Sequence, residues 1–144
     1  MTLISKEYHF CAAHRIEGHP KCGRLHGHNY RVVVELEGEI QEDGMVMDYG
    51  ILDVIVKPLV DTWDHRYLVS ESNVRANDPY IEPAVALGHA VVLPVEASTA
   101  ELLAYALACA IRVHLGSDGV VYTNIRRIRV VIYETPKSMA SCML

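Results

Sequence analysis

The sequence lacks any run of roughly 18 consecutive apolar residues, the length a membrane-spanning helix requires, and it lacks a basic start followed by a long apolar stretch. A soluble, unprocessed, cytoplasmic protein without membrane partners is expected. Paired cysteine motifs are also missing. Cys11, Cys22, Cys109 and Cys142 lie far apart with no C-x-x-C spacing, which argues against a thiolate metal cage and against a secreted disulfide framework. Basic charge is scarce as well: the net charge of -5 excludes the broad Lys and Arg face that nucleic-acid phosphates demand. Gln41 is the only glutamine, a mild thermophile-like bias that carries no chemistry. What is present is apolar mass. With 144 residues and 51% hydrophobic content, residues 1–144 can bury one core as a single domain without covalent or metal staples, so any metal is free to be functional.

Periodicity orders the chain. Tyr8, Phe10, Ala12 and His14 share one parity in an extended stretch from Leu3 to His14, and His28, Tyr30, Val32, Val34 and Leu36 alternate with Asn29, Arg31, Glu35 and Glu37. These predict two antiparallel strands. From Asp48, the positions Ile51, Leu52, Ile55, Val56, Leu59 and Val60 repeat at helical spacing, and Pro58 should kink that helix or tighten its last turn. Residues 69–97 lose periodicity and read as a long excursion. Ser98-Thr99-Ala100-Glu101 reads as a capping box opening a second helix that ends at Gly116. Residues 125–134 place Ile128, Val130, Ile132 and Glu134 on one face of a third strand, and a fourth can follow Pro136. The order predicts an α+β fold, an antiparallel sheet with two helices packed on one face.

His26 and His28 flank Gly27, so on a strand both rings project from one face, and an antiparallel first strand can bring His14 beside them. Three neutral imidazoles with a fourth position open are the donor set of a catalytic zinc. For any single histidine the ordinary reading is a satisfied or solvated ring. Cys22 lies four positions before His26 between Lys21 and Arg24, whose charges favour a thiolate; buried inertness is the plain alternative, and is assumed for Cys11 and Cys109. Asp64-His65 offers a carboxylate to orient an imidazole acid or base. Glu134 ends an apolar face, where a carboxylate needs a donor: a guanidine-like ring edge or an arginine of the protein.

Taken in order, Phe10-Cys11-Ala12-Ala13-His14, Cys22 through His28, Asp64-His65, Thr99-Ala100-Glu101 and Glu134-Thr135 resemble the motifs of the 6-pyruvoyltetrahydropterin and 6-carboxytetrahydropterin synthase superfamily. The resemblance covers nearly the whole chain and implies the tunnelling fold. It also implies Zn2+ on His14, His26 and His28, proton chemistry by Cys22 with Asp64 and His65, and a pterin held by Glu134. Thr99 falls in the motif opening the second helix and is a further substrate-binding candidate; Lys21 and Arg24 are candidates for triphosphate contacts. Leu102 stands where the family has Asn, and the 69–97 excursion is longer than in familiar bacterial members. Three residues between Cys22 and the H-G-H are similar to the 6-carboxytetrahydropterin branch, which serves 7-deazaguanine (queuosine or archaeosine) synthesis. That branch converts 7,8-dihydroneopterin triphosphate to 6-carboxy-5,6,7,8-tetrahydropterin, releasing acetaldehyde and triphosphate. The alternatives are triphosphate elimination without side-chain cleavage, giving the 6-pyruvoyl product, and a binding or assembly module with a structural zinc. The family assembles as hexamers with sites between subunits, so a homo-oligomer is implied.

Overall fold

The computed structural model describes residues 1–116 and 121–144. Strict alternation makes β1 (Thr2–His14) and β2 (His26–Gly38) long strands that pair antiparallel from Thr2↔Gly38 to His14↔His26. Their even-numbered side chains are buried from Tyr8 to His14 on β1 and from Tyr30 to Gly38 on β2. β5 (Ile125–Thr135) continues the sheet beside β2, and β6 (Ser138–Met143) closes that side, both antiparallel.

The excursion is ordered. β3 (Arg66–Val69) leads into it, and it contains α2 (Glu71–Arg75), α3 (Ile81–Ala86) and β4 (Ala90–Val92). β3 pairs parallel to β1 and β4 parallel to β3, giving the strand order β4-β3-β1-β2-β5-β6. The antiparallel sheet expected from sequence is therefore the β1-β2-β5-β6 part of a mixed six-stranded sheet, and two short helices join the two long ones. The physical reason is length: strands of four and three residues show no period of their own.

α1 (Tyr49–Asp61) and α4 (Ala100–Leu115) cover one face of the sheet; their buried residues Leu52, Val56, Leu103, Leu107 and Ile111 join Tyr30, Val32, Val34, Ile128, Val130 and Ile132 in one core. Asp48 caps α1 by accepting from the Gly50 amide at 2.6 Å. The helix continues past Pro58, and a tight i to i−3 bond from Trp63 N to Val60 O at 3.0 Å closes its end, in keeping with a tightened last turn. α4 departs from the expected capping box. Its N-cap is Thr99, whose hydroxyl accepts from the Leu102 amide at 3.4 Å, so the start falls one residue after Ser98. Ser98 is fully buried and its backbone is used elsewhere.

The opposite face is polar. Arg31–Glu7 at 2.8 Å, Arg129–Glu35 at 3.0 Å and Arg127–Glu37 at 3.4 Å pair charges between neighbouring strands. Such partly exposed pairs, screened by solvent, add little to stability and favour this strand register.

Candidate metal centre and active site

Antiparallel pairing puts His14 opposite His26 and Ala12 opposite His28, so the three imidazoles meet on the buried face where β1 ends and β2 begins. The ring centroids are 4.6, 5.1 and 5.0 Å apart, and one nitrogen from each ring lies within 4.8 Å of the other two. Gly27 permits this. A Cβ there would sit 2.9 Å from the Ala12 carbonyl oxygen, closer than any side chain tolerates.

The tautomers are set by the backbone. His14 Nδ1–H donates to the Ser98 carbonyl and His26 Nδ1–H to the Arg24 carbonyl, each at 2.7 Å, which leaves both Nε2 lone pairs free. His14 is 1% exposed, and its Nε2 has no hydrogen-bond partner among the described residues. Burial lowers the His14 pKa to about 4, against the Ser98 carbonyl, and the neighbouring His26 and His28 add to the lowering. Burial likewise lowers His28. A neutral, buried, unpartnered Nε2 aimed at two more imidazoles fits a divalent transition metal with one position left open.

Beneath the cluster, Tyr30 stacks on Phe10 at 4.6 Å, and its buried hydroxyl also has no partner. Burial first, then the Glu134 charge, pushes the Tyr30 pKa up. Glu134 Oε1 lies 3.7 Å from His14 Nε2, and a register shift between Tyr133 and Thr135 falls on this residue. Among the described residues no arginine pairs with Glu134. The ion-pair alternative raised by the sequence has no support among the described residues.

Asp64 and His65 form a second group beside β1. The Cys11 amide donates to Asp64 Oδ1 at 2.8 Å, and His65 N donates back to the Cys11 carbonyl at 2.6 Å. The Cys11 amide, assisted by His65, holds the Asp64 carboxyl below its ordinary range. His65 Nδ1 lies 3.0 Å from Asp64 Oδ2, leaving Nε2 outward on a ring that is 79% exposed. Its φ of 56° is a left-handed conformation that costs a non-glycine residue about 1–3 kcal/mol and persists where surrounding bonds impose it. His65 and His28 both line a cavity of about 600 Å³ with Cys11, Asn29, Tyr67 and His89.

Cys22 is half-buried in the loop between β1 and β2. Its amide donates to His19 Nδ1 at 2.9 Å and its carbonyl accepts from Ile16 N at 2.8 Å. Among the described residues the thiol makes no hydrogen bond to His65 or to the three histidines, and the exposed Lys21 and Arg24 side chains have no ion partner. All four cysteines are free. Thr99 spends its hydroxyl on the helix cap. Missed from the sequence were the Ser98 carbonyl, Tyr30 and His89.

The model of the 6-pyruvoyl tetrahydropterin synthase family matches residues 3–143. A protein of Archaeoglobus fulgidus is 45% identical over 76 residues, 53% of this chain and 66% of that protein. One from Pyrococcus abyssi is 35% identical over 147 residues, 97% of this chain and 87% of that protein. Both are provisionally named 6-carboxy-5,6,7,8-tetrahydropterin synthases. The crystal structure of 6-pyruvoyl tetrahydropterin synthase from Plasmodium vivax superposes with a TM-score of 0.76 at 20% identity, covering 100% of this chain and 99% of that one, which shows the same fold. Three histidines converging from β1 and β2, on a fold shared from end to end and a family match over nearly every residue, place this chain in the 6-pyruvoyl tetrahydropterin synthase family.

Proposed function

We propose that this chain is a cytoplasmic, zinc-dependent lyase that converts 7,8-dihydroneopterin triphosphate and one water to 6-carboxy-5,6,7,8-tetrahydropterin, releasing acetaldehyde and triphosphate, on a route to 7-deazaguanine bases. The observation that carries it is the buried, unpartnered Nε2 of His14 facing His26 and His28. Bound there, zinc supplies Lewis acidity to the hydroxyls of the substrate side chain. Cys22 moves a proton at the side-chain carbon. His65 is the complementary acid or base: Asp64, held ionised by the Cys11 amide, fixes Nδ1 and leaves Nε2 for exchange. Glu134 accepts paired hydrogen bonds from the amino-pyrimidine edge of the pterin, and Thr99 is a further substrate-binding residue. Lys21 and Arg24, exposed and without ion partners, meet the triphosphate.

The working form is a homo-oligomer, a hexamer by family resemblance. The 6-carboxy product is supported by the three-residue gap between Cys22 and His26 and by the names of the archaeal relatives.

The test is product analysis by mass spectrometry after zinc-loaded protein meets 7,8-dihydroneopterin triphosphate. Acetaldehyde and the 6-carboxy product in equal amounts are expected. A 6-pyruvoyl product without acetaldehyde would move the chain to the other branch, and no turnover would leave a binding or assembly module.

A further inference from the structure

Among the described residues, the buried polar or charged side chains are His14, Ser70, Asn73, Asp78 and Ser98. All but His14 belong to the segment between β3 and α4. They converge on Arg15, the residue after a proposed metal ligand. Asn73 Nδ2 and Ser98 Oγ donate to the Arg15 carbonyl at 3.3 and 3.4 Å, and Ser70 holds Asn73 in place. Asp78, whose side chain is 0% exposed, takes Arg15 Nη1 on Oδ2 at 3.0 Å. The same oxygen accepts from the Tyr67 hydroxyl, and Oδ1 accepts from the Tyr80 amide at 2.8 Å.

With Nη1 fixed on Asp78 and Nη2 3.6 Å from Glu17 Oε2, the Arg15 guanidinium turns its Nε–H to the Gly23 carbonyl at 2.8 Å. Gly23 follows Cys22. The loop is further tied by Ile16 N to Cys22 O and by Gly23 N to His19 O, and a Cβ on Gly23 would lie 2.4 Å from the His19 oxygen. The cysteine side of the loop is thus anchored through one arginine to a carboxylate in the connection between α2 and α3.

We propose that Asp78 and Arg15 are positioning residues for Cys22: the segment between β3 and α4 sets the place of the thiol through the Asp78–Arg15–Gly23 relay. A buried ion pair of this kind adds little net stability, because desolvation offsets much of the attraction; its use here is to fix one conformation. The relay rests on the reading of Cys22 as a proton carrier for its catalytic meaning, and its geometry is testable without it.

The experiment uses full-length, zinc-loaded protein and iodoacetamide, with alkylation at each cysteine followed by peptide mass spectrometry. Arg15→Lys keeps a cation for Asp78 and removes the Nε donor to Gly23; Asp78→Asn keeps side-chain volume and an acceptor for Tyr80 and removes the charge. Both variants are expected to alkylate Cys22 at least fivefold faster than wild type, with Cys11 within twofold and zinc content unchanged. The double variant should be no faster than the faster single one, as members of one relay are not additive. In turnover, kcat should fall at least tenfold while KM changes less than threefold. A Cys22 rate within twofold of wild type, or slower, in the native fraction of both variants overturns the relay. A fast Arg15→Lys beside an unaltered Asp78→Asn removes Asp78 from it. Retained turnover in Cys22→Ala would end the catalytic reading alone, since the alkylation rates report position whatever the thiol does.

Discussion

At the scale of single residues, the centre is a matter of lone pairs. Replacing His28 with Ala removes one of three proposed ligands, and zinc content measured by mass spectrometry should fall below a tenth of a metal per chain at a zinc concentration that saturates wild type. The fold should survive, because His28 is only half-buried and makes no hydrogen bond among the described residues. Cys22→Ala should retain full zinc yet lose at least a hundredfold in kcat, in line with the loss of one proton-transfer group. Much of this site is legible in the sequence, since an i, i+2 pair on a strand and a third histidine of matching parity fix one face. The supports are not. The Ser98 carbonyl that orients His14 lies 84 residues away, and Asp78 meets Arg15 through a separately folded segment. Neither contact leaves a period or a motif.

At the scale of elements, local rules place a boundary only until another group claims the backbone. S-x-x-E predicts Ser98 as the cap of α4, yet the Ser98 carbonyl is held by His14 and its hydroxyl by Arg15, so Thr99 takes the cap. Thr99→Ala should therefore lower stability by about 1 kcal/mol in urea denaturation. If Thr99 also touches substrate, KM rises in the same variant. α1 is pinned to β1 by Asp53, which receives Lys6 at 2.7 Å, Lys57 at 2.9 Å and the Tyr8 hydroxyl at 3.0 Å. Lys6 first, then Lys57, holds the Asp53 pKa down to about 2 from an ordinary 3.8. A carboxylate depressed in the folded state contributes stability that is full above its unfolded pKa and is lost as pH falls through the folded one. The wild-type melting temperature should drop between pH 4 and pH 2 more steeply than that of Asp53→Asn, and equal slopes would show that this cluster does not anchor the helix.

For the whole molecule, four strands and two long helices follow from alternation and 3.6-residue spacing, whereas the β3 to β4 segment is visible only as a loss of period. Its strands are too short to carry a pattern and are ordered by pairing beside β1. That segment supplies Asn73 and Asp78, two of the buried side chains that hold Arg15, so the least legible part of the chain braces the most legible site.

The central claim is a metal held by three imidazoles with one position open and the thiol of Cys22 outside the coordination sphere. Zinc K-edge X-ray absorption on the loaded protein measures this directly. Three nitrogen ligands and one oxygen at about 2.0–2.1 Å, with no sulfur shell, is the predicted spectrum. A sulfur at about 2.3 Å would make Cys22 a ligand, close the site and contradict the proposed chemistry.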